Sequence, residues 1–355
     1  MIDTEIVIPV HDLSRPVRRA AESVLADLAA GVIVVAHNIA TAELDLPKSD
    51  RLRVISLTGF PGKPGAAFDA GIAAAEKSWV GIMGSDDWLA PGALVQMRQR
   101  AQDDRADGVI SPLRHEGTGP QNPILPVTWR RTGLQAVQDR MFYRSAPLGI
   151  YRTEIMQDSR YRFGAEFPSG EDLRMSTLLW TSGLKFSYYW DDPAYVVGNG
   201  ASGRITLKPR PLPTVVAPYL NLMQEPGVQA FTAEQQHALA SKLARVHVCN
   251  LVRFRTQQQE WQADDFACLV SYVQKLRDFD PFFDHALTRR DNRIVAAIER
   301  ADMAAMLVAA AVWKDAGAID RVFTAGWLAN VTERDSSLRT ALASFVAKGR
   351  TYLYI

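Results

Sequence analysis

Two adjacent carboxylates follow an apolar run in the segment WVGIMGSDDWL, residues 79 to 89. Asp86 and Asp87 are predicted to stand where a short buried strand ends. Carboxylate oxygens at a strand end can hold a divalent cation, and that cation can in turn hold a diphosphate. The same two residues are also typical of a turn or of a helix N-cap, so the local sequence leaves both interpretations open.

A second acidic step, Glu171 and Asp172, stands in the segment FPSGEDLRMSTLLWTSG, residues 167 to 183. The spacing of Met175 and Leu178 predicts an amphipathic helix that begins at this step. Acidic residues in a first turn commonly complement the helix dipole. That interpretation is favoured locally, and a functional carboxylate, which burial could tune, is the alternative.

The elements that must position these groups can be read from the hydrophobic pattern. Four apolar, β-branched runs predict strands over Ile6–Val10, Val32–Val35, Arg53–Leu57 and Trp79–Met83. Helical patterns separate the strands, which predicts an α/β fold with a parallel sheet between helices. In such sheets ligands bind beyond the carboxyl ends of the strands. The polar residues at the predicted ends are His11, Asp12, His37, Asp86 and Asp87.

The composition limits the class of protein. The chain has 355 residues, enough for two compact units, and its 40 basic and 39 acidic residues leave a formal net charge of +1. This balance gives no electrostatic reason to expect a nucleic-acid partner. Cys249 and Cys268 match no metal-ligand or redox spacing and suit a reducing compartment. Without a signal peptide or a run of membrane-spanning length, the expected location is the cytoplasm, including the inner face of the membrane.

A proline-rich stretch, KPRPLPTVVAP at residues 208 to 218, divides the sequence. Its four prolines argue against a continuous helix or a central strand, which makes it the predicted boundary. We expect an α/β domain over residues 1–208, a linker over 209–230 and a helical domain over 231–355. In the helical domain, Thr232 and Gln235 form a predicted capping box.

Four blocks in the first part of the chain together resemble the family 2 glycosyltransferases. EIVIPVHD (5–12) is similar to the family's opening strand and donor-binding loop, and PGAAFDAGIAAA (64–75) to its alanine-rich helix. GSDDWLAPGAL (84–94) is similar to its metal-binding motif, and FPSGEDLRMSTLLWTSG (167–183) to the segment with its acid–base pair. The blocks keep the family's order and spacing over about residues 3 to 208. The resemblance implies a catalytic domain of GT-A fold, a Rossmann-like and mostly parallel sheet flanked by helices, followed here by the α-helical C-terminal domain.

The resemblance implies an inverting transfer of a sugar, most often from a UDP-sugar, to a hydroxyl of a cell-surface polysaccharide or glycoconjugate. Asp172 would be the base that deprotonates the acceptor hydroxyl, with Glu171 beside it as a positioning or acceptor-binding residue. Asp86 would bind a divalent cation, Mn²⁺ or Mg²⁺, which offsets the charge of the leaving diphosphate. Asp87 would assist the cation or hold the loop.

The resemblance also marks a set of nucleotide-sugar contacts. They come from the first strand and its loop, the end of the second strand, the alanine-rich helix, the metal motif and a later loop: Pro9, Val10, His11, Asp12, His37, Phe68, Ser85, Asp86 and Arg204. The implied partners are a nucleotide-sugar donor and a glycan acceptor.

Three departures from the family pattern affect this interpretation. Gly84 stands where the family commonly has the first acidic residue of its Asp-x-Asp pattern, which lowers the local negative charge. The second strand ends in VVAHN, so His37 replaces an acidic residue that commonly reads uracil. A neutral imidazole has one donor and one acceptor, whereas a carboxylate only accepts. Phe68 and Asp69 replace a common Arg-Asn pair. The identity of the donor's nucleobase and the dependence on a metal ion therefore both stay open.

Two other classes compete with this interpretation. A sugar nucleotidyltransferase also uses a doubly wound sheet with a metal-binding carboxylate. It needs a glycine-rich phosphate loop after the first strand, however, and VHDLSRPVRRA contains no glycine. A non-catalytic nucleotide- or carbohydrate-binding scaffold derived from the same family is favoured by Gly84, His37 and Phe68. Metal-dependent binding of a nucleoside diphosphate would count against the scaffold.

The helical C-terminal domain is rich in aromatic residues, among them Trp261, Phe282, Phe283, Trp313, Tyr352 and Tyr354. Burial is their first interpretation. A homo-oligomer contact and a peripheral contact with a membrane surface stay open. The segment LARVHVCNLVRFR, which begins at Leu243, mixes basic and apolar residues as an interfacial helix would.

Overall fold

The computed structural model describes residues 3–117, 130–199, 210–258 and 261–343. The chain forms two compact units. The first unit spans Met1–Gln135 and Arg144–Leu207, and the second spans Ala136–Tyr143 and Lys208–Ile355. The second unit thus includes a short segment from within the first part of the sequence.

The described part of the first unit contains ten strands and five α-helices. The strands are β1 Thr4–Val10, β2 Ala30–His37, β3 Leu52–Leu57, β4 Trp79–Ile82, β5 Trp88–Leu89, β6 Gly108–Ile110, β7 Leu113–His115, β8 Gly149–Arg152, β9 Phe186–Tyr188 and β10 Tyr195–Val197. The helices are α1 Val17–Leu25, α2 Pro64–Ala73, α3 Ala93–Asp104, α4 Thr153–Met156 and α5 Asp172–Trp180. The four strands predicted from the sequence are β1 to β4, close to their predicted bounds.

Seven strands form a mixed, mostly parallel sheet in the order β3-β2-β1-β4-β8-β6-β9. Only β8 runs antiparallel to its neighbours in this sheet. The register places Val10 opposite Ala36 and Val7 opposite Ile82. The carboxyl ends of β1, β2 and β4 therefore lie at one edge of the sheet. This architecture confirms the predicted fold class.

Helices cover both faces of the central strands. Ile6, Ile8 and Val10 belong to a buried cluster that includes apolar residues of α1 and α3. Val7 packs on the other face against α2, where a Cβ added to Gly71 would lie 2.1 Å from Cγ1 of Val7. Only a glycine lets the helix approach the sheet so closely. Burial on both faces explains why these strands are continuous apolar runs without polar alternation.

The strands β5, β10 and β7 form a second, small sheet with β10 in the centre. Here β10 pairs antiparallel with β5 and parallel with β7. Because β5 begins directly after Asp87, its pairing with β10 brings Tyr195 to the acidic pair.

The second unit is mainly helical over its described residues. Its α-helices are α6 Leu212–Gln224, α7 Pro226–Gln229, α8 Ala233–Lys242, α9 Asn250–Gln258, α10 Ala263–Phe279, α11 Arg289–Glu299, α12 Met303–Ala311, α13 Ala318–Val322 and α14 Ala329–Thr332. A π-helix, Leu243–Cys249, links α8 to α9. The predicted capping box is confirmed, because the side chains of Thr232 and Gln235 each accept from the other's backbone N–H. Over the residues that the structure describes, none of the helices combines the length and apolarity needed to cross a bilayer.

The expectation that the prolines of residues 208–218 exclude a helix is wrong. Leu212–Gln224 forms one helix. Pro213 lies in its first turn, where a backbone N–H has no helical partner in any case. Pro218 lies inside the helix and is buried. Burial of the helix's apolar face offsets the hydrogen bond that Pro218 cannot make.

Candidate active site

The predicted contact residues of the first two strands lie at the edge where these strands end. Pro9 and Val10 are the last two residues of β1, and Val10 is fully buried. His37 ends β2 with its side chain buried, and its Nε2 lies 2.9 Å from the carbonyl oxygen of Gly59. Asn38 donates to the same oxygen at 2.8 Å and accepts from the Gly59 N–H at 2.8 Å. The loop after β3 therefore holds the imidazole in place.

His11 and Asp12 open the loop between β1 and α1. The Asp12 carboxylate accepts from the Ser14 N–H at 2.9 Å, and this bond holds the pKa of Asp12 below its usual range. Desolvation lowers the pKa of His11, and the nearby positive charge of Arg15 lowers it further. His37 and Asp86 also act on this pKa, so the predicted residues of three strand ends lie close together. A lowered pKa leaves His11 neutral at pH 7.

The acidic loop after β4 contains an ion pair that the sequence analysis missed. Nη1 of Arg15 lies 2.7 Å from Oδ1 of Asp86, although the two residues are 71 positions apart. Asp86 and the preceding Ser85 are both buried. The position of Arg15, just after the donor-type loop, was the one feature of the sequence that could have indicated it.

Asp87 faces the small sheet. Its Oδ2 accepts from the Tyr195 hydroxyl at 2.5 Å, and its Oδ1 accepts from the Gly198 N–H at 2.9 Å. The same hydroxyl accepts from the Gly84 N–H at 2.9 Å. Burial raises the pKa of Tyr195, and the charge of Asp87 raises it further, so the phenol stays protonated and donates. In this arrangement Asp87 ties the acidic loop to Tyr195 and Gly198.

The glycine at position 84 fits this arrangement. A Cβ there would lie 2.6 Å from Oδ2 of Asp87 and 3.3 Å from Oδ1 of Asp86. Gly198 is confined in the same way, since a Cβ would lie 1.9 Å from the main-chain oxygen of Asp86. Any side chain at position 84, acidic or not, therefore requires a different position for Asp87.

Arg19 of α1 contacts the same loop. One of its nitrogens donates to the main-chain oxygen of Asp86 at 3.1 Å, and another pairs with Glu116 at 3.0 Å. Its guanidinium carbon lies 3.8 Å from the ring centre of Trp88, a cation–π geometry. Glu116 also accepts from the Asn199 N–H at 2.9 Å. These contacts fix the main chain on which Asp86 stands.

The predicted acid–base pair lies at the start of a helix. Asp172 is the first residue of α5 and Glu171 occupies the N-cap position. Both side chains are partly exposed. Gly170 has a φ of 76°, a left-handed conformation that favours glycine and turns the chain into the helix. The carbonyl oxygen of Glu171 accepts from the Gly164 N–H at 2.8 Å, which ties the helix start to the preceding segment.

Phe68 lies on α2 and packs against the segment that precedes α5. Its ring stacks on Phe163 with 5.2 Å between ring centres. The neighbouring Asp69 accepts from the Phe163 N–H at 3.2 Å. Burial raises the pKa of Asp69 to about 6, against the effect of this hydrogen bond. Phe68 and Asp69 thus join α2 to the chain that leads to Glu171.

The described residues offer few ligands for a cation. Within them, no group of three or more His, Cys, Asp or Glu side chains is placed to hold a metal ion. Asp87 is held by Tyr195 and Gly198, whereas Asp86 has an ion pair with Arg15, so Asp86 would bind a cation in competition with that guanidinium. Mg²⁺ commonly binds one or two protein carboxylates together with substrate phosphates and water. The loop therefore fits a cation that takes most of its ligands from a bound diphosphate. Arg204, the remaining predicted contact, lies outside the described residues.

The fold and the site at the strand ends indicate a class of protein. Residues 5–160 match the family model described as Glycosyl transferase family 2. The match to the glycosyltransferase family covers this part of the chain, and the fold of the first unit is of the GT-A type. A comparison with curated proteins finds no match for the sequence.

Similar solved structures come from S. aureus. They are TarS 1-349 alone, in complex with UDP and in complex with UDP-GlcNAc, with TM-scores of 0.65, 0.65 and 0.68. Each is 15% identical in sequence, and the likeness covers 88% of this chain and 92% of the other. At this identity the likeness shows the fold alone, and it extends beyond the residues that the family model matches.

Proposed function

We propose that this protein transfers a sugar from a UDP-sugar to a hydroxyl of a cell-surface polysaccharide or glycoconjugate, with inversion at the anomeric carbon. The observation that carries this proposal is the meeting of His11, His37 and Asp86 at the carboxyl ends of β1, β2 and β4. Ligands of doubly wound sheets bind at such edges. The UDP and UDP-GlcNAc bound to TarS, which has the same fold, support UDP as the carrier.

His37 is suited to recognise the nucleobase of the donor. A carbonyl oxygen only accepts, so the contact with Gly59 places a hydrogen on Nε2 of His37. In that tautomer of the imidazole, Nδ1 is an acceptor. This nitrogen can accept a hydrogen bond from the N3–H of uracil, as a carboxylate would, but it carries no negative charge. Pro9, Val10, His11 and Asp12 complete the nucleoside side of the proposed site, with Phe68, Ser85 and Arg204 as further contacts.

Asp86 is the proposed ligand of a divalent cation, Mn²⁺ or Mg²⁺, with Asp87 as the group that holds the loop. When bound, such a cation offsets the charge that develops on the leaving diphosphate. Asp86 orients this cation because the Arg19 and Tyr195 contacts fix the main chain on either side.

Asp172 is the proposed base for the acceptor hydroxyl, and Glu171 the residue that positions the acceptor. The start of α5 is partly exposed, so an incoming glycan can approach it. An ionised carboxylate within hydrogen-bond reach takes the proton as the hydroxyl attacks the anomeric carbon.

The test is turnover of a panel of UDP-sugars with Mn²⁺, followed as UDP release. We expect turnover of at least one donor, and a loss of at least a hundredfold in kcat in Asp172→Asn with UDP binding retained. Asp103→Asn, which changes an exposed aspartate of α3, is the matched control and should keep full turnover. Full turnover in Asp172→Asn would remove Asp172 as the base.

A non-catalytic scaffold is the second candidate. The ion pair between Asp86 and Arg15 favours it, because it neutralises the carboxylate that a cation needs. A scaffold would bind UDP or a glycan with no turnover of any donor. UDP release that Mn²⁺ accelerates would exclude it.

A further inference from the structure

The carboxylate proposed to bind the cation is already paired with a cation of the protein. Arg15 and Asp86 lie 2.7 Å apart, and their side chains are only 12% and 11% exposed. A carboxylate that faces a guanidinium at this distance attracts a divalent ion less strongly, since the local charge is neutral. Any metal that binds Asp86 must therefore compete with Arg15.

The guanidinium of Arg15 has an N–H donor without an acceptor among the residues that the structure describes. This donor is Nε, which is buried. A guanidinium presents five N–H groups in one plane, and its fork matches two oxygens of a phosphate. The single bond to Asp86 leaves this fork unsatisfied. A diphosphate is the kind of ligand that would satisfy it.

The surroundings favour one exchangeable pair over a larger acidic cluster. Asp87 is bound by Tyr195 and Gly198, and position 84 has no side chain. On the same loop, desolvation and the charge of Arg15 lower the pKa of His11, so it adds no charge near neutrality, whereas the Asp12 carboxylate is held by the Ser14 N–H. Asp86 and Arg15 are therefore oppositely charged side chains in direct contact at the end of β4.

We propose that Arg15 changes partners when the donor binds: its guanidinium leaves Asp86 for the diphosphate, and the freed Asp86 carboxylate takes the divalent cation. This inference rests on the proposed function and adds a specific residue to it. No covalent bond forms or breaks in the exchange. Its thermodynamic consequence is a strong positive coupling, because each ligand removes the group that opposes the other.

Calorimetry on the full chain tests the exchange. The titrants are Mn²⁺ alone, UDP in EDTA, and UDP with Mn²⁺. In Arg15→Gln we expect Mn²⁺ alone to bind at least tenfold tighter, since Asp86 is free, and UDP in EDTA to bind at least tenfold weaker, since the fork is gone. The coupling between the two ligands should fall at least tenfold.

Arg18→Gln is the matched control, because Arg18 lies one turn further on and pairs with the exposed Asp45. It should leave all three affinities within twofold. Arg15→Lys keeps the charge without the fork, so it should hold Mn²⁺ affinity near that of the unchanged protein while weakening UDP several-fold. This second variant carries the test if the melting temperature shows that Arg15→Gln does not fold.

Unchanged affinities in both Arg15 variants would overturn the exchange and leave Arg15 as a support of the loop. If that result comes with normal UDP binding by the unchanged protein, the proposed function stands and only the exchange fails. If the unchanged protein binds UDP in neither condition, the proposed function fails and the exchange fails with it.

Discussion

Asp86 and Asp87 are neighbours in the sequence, yet different elements surround their carboxylates. Asp86 faces Arg15 from the β1–α1 loop, whereas Asp87 faces Tyr195 from β10. The sequence indicates where the pair stands, because an apolar run that ends in acidic residues is a local pattern. It does not indicate the partners, which come from positions 71 and 108 residues away. Those contacts depend on the order of the strands in the sheet, and no short segment of the sequence determines that order.

Gly84 illustrates the same limit. From the sequence alone it is a missing acidic residue. In the structure it is a position where a Cβ would lie 2.6 Å from the Asp87 carboxylate, so the glycine and the rotamer of Asp87 depend on each other. The absence of an acidic side chain at position 84 is thus linked to the contact between Asp87 and Tyr195.

Asp69 yields a prediction about pH. Burial raises its pKa in the fold to about 6 from an ordinary value of 3.8, so the native state holds the proton more tightly than the unfolded chain. Stability should therefore fall as pH rises from about 4 to about 6, and the loss should persist above that window.

Replacing Asp69 by asparagine removes this loss, because the amide does not ionise and its oxygen can still accept from the Phe163 N–H. A pKa of about 6 in place of 3.8 corresponds to about 3 kcal/mol, and partial exposure of the side chain to solvent reduces this to about half. We expect Asp69→Asn to be about 1–2 kcal/mol more stable than the unchanged protein at pH 7.5, and no more stable at pH 4. Urea unfolding at both values measures this, and equal stability at pH 7.5 would contradict it.

At the scale of elements, β1 to β4 and α2 follow from the sequence because their apolar residues form runs with clear boundaries. The later strands β6 to β10 are only three or four residues long, and their pairing is set by neighbours distant in sequence. Such short runs carry too little pattern to be recognised. The sequence does not predict the helix Leu212–Gln224, because its proline content outweighs its apolar spacing.

The contact between α2 and the sheet gives a prediction at this scale. A Cβ on Gly71 would lie 2.1 Å from Val7 and 3.0 Å from Val35, whose branched side chains cannot move aside within packed strands. We expect Gly71→Ala to cost about 1–3 kcal/mol through overpacking, despite the better helix propensity of alanine. The melting temperature measures this change. Gly317→Ala is the control, because nothing lies within 4 Å of the added Cβ; an equal effect in both variants would contradict the packing argument.

At the scale of the whole molecule, the sequence predicts an α/β part followed by a helical part. It does not predict that Ala136–Tyr143 belongs to the second unit. That segment is held there by contacts such as the buried ion pair between Arg140 and Asp335, whose partners are far apart in the sequence. Membership in a unit is decided by such contacts, and local composition does not reveal them.

The central claim is that a nucleoside diphosphate binds at the carboxyl ends of β1, β2 and β4. Hydrogen exchange of the full chain, with and without UDP and Mn²⁺, tests this most directly. We expect slower amide exchange in peptides that cover residues 11–15, 36–38 and 84–87, and no change in α10 of the second unit. Protection confined to the second unit, or no protection at millimolar UDP, would contradict it.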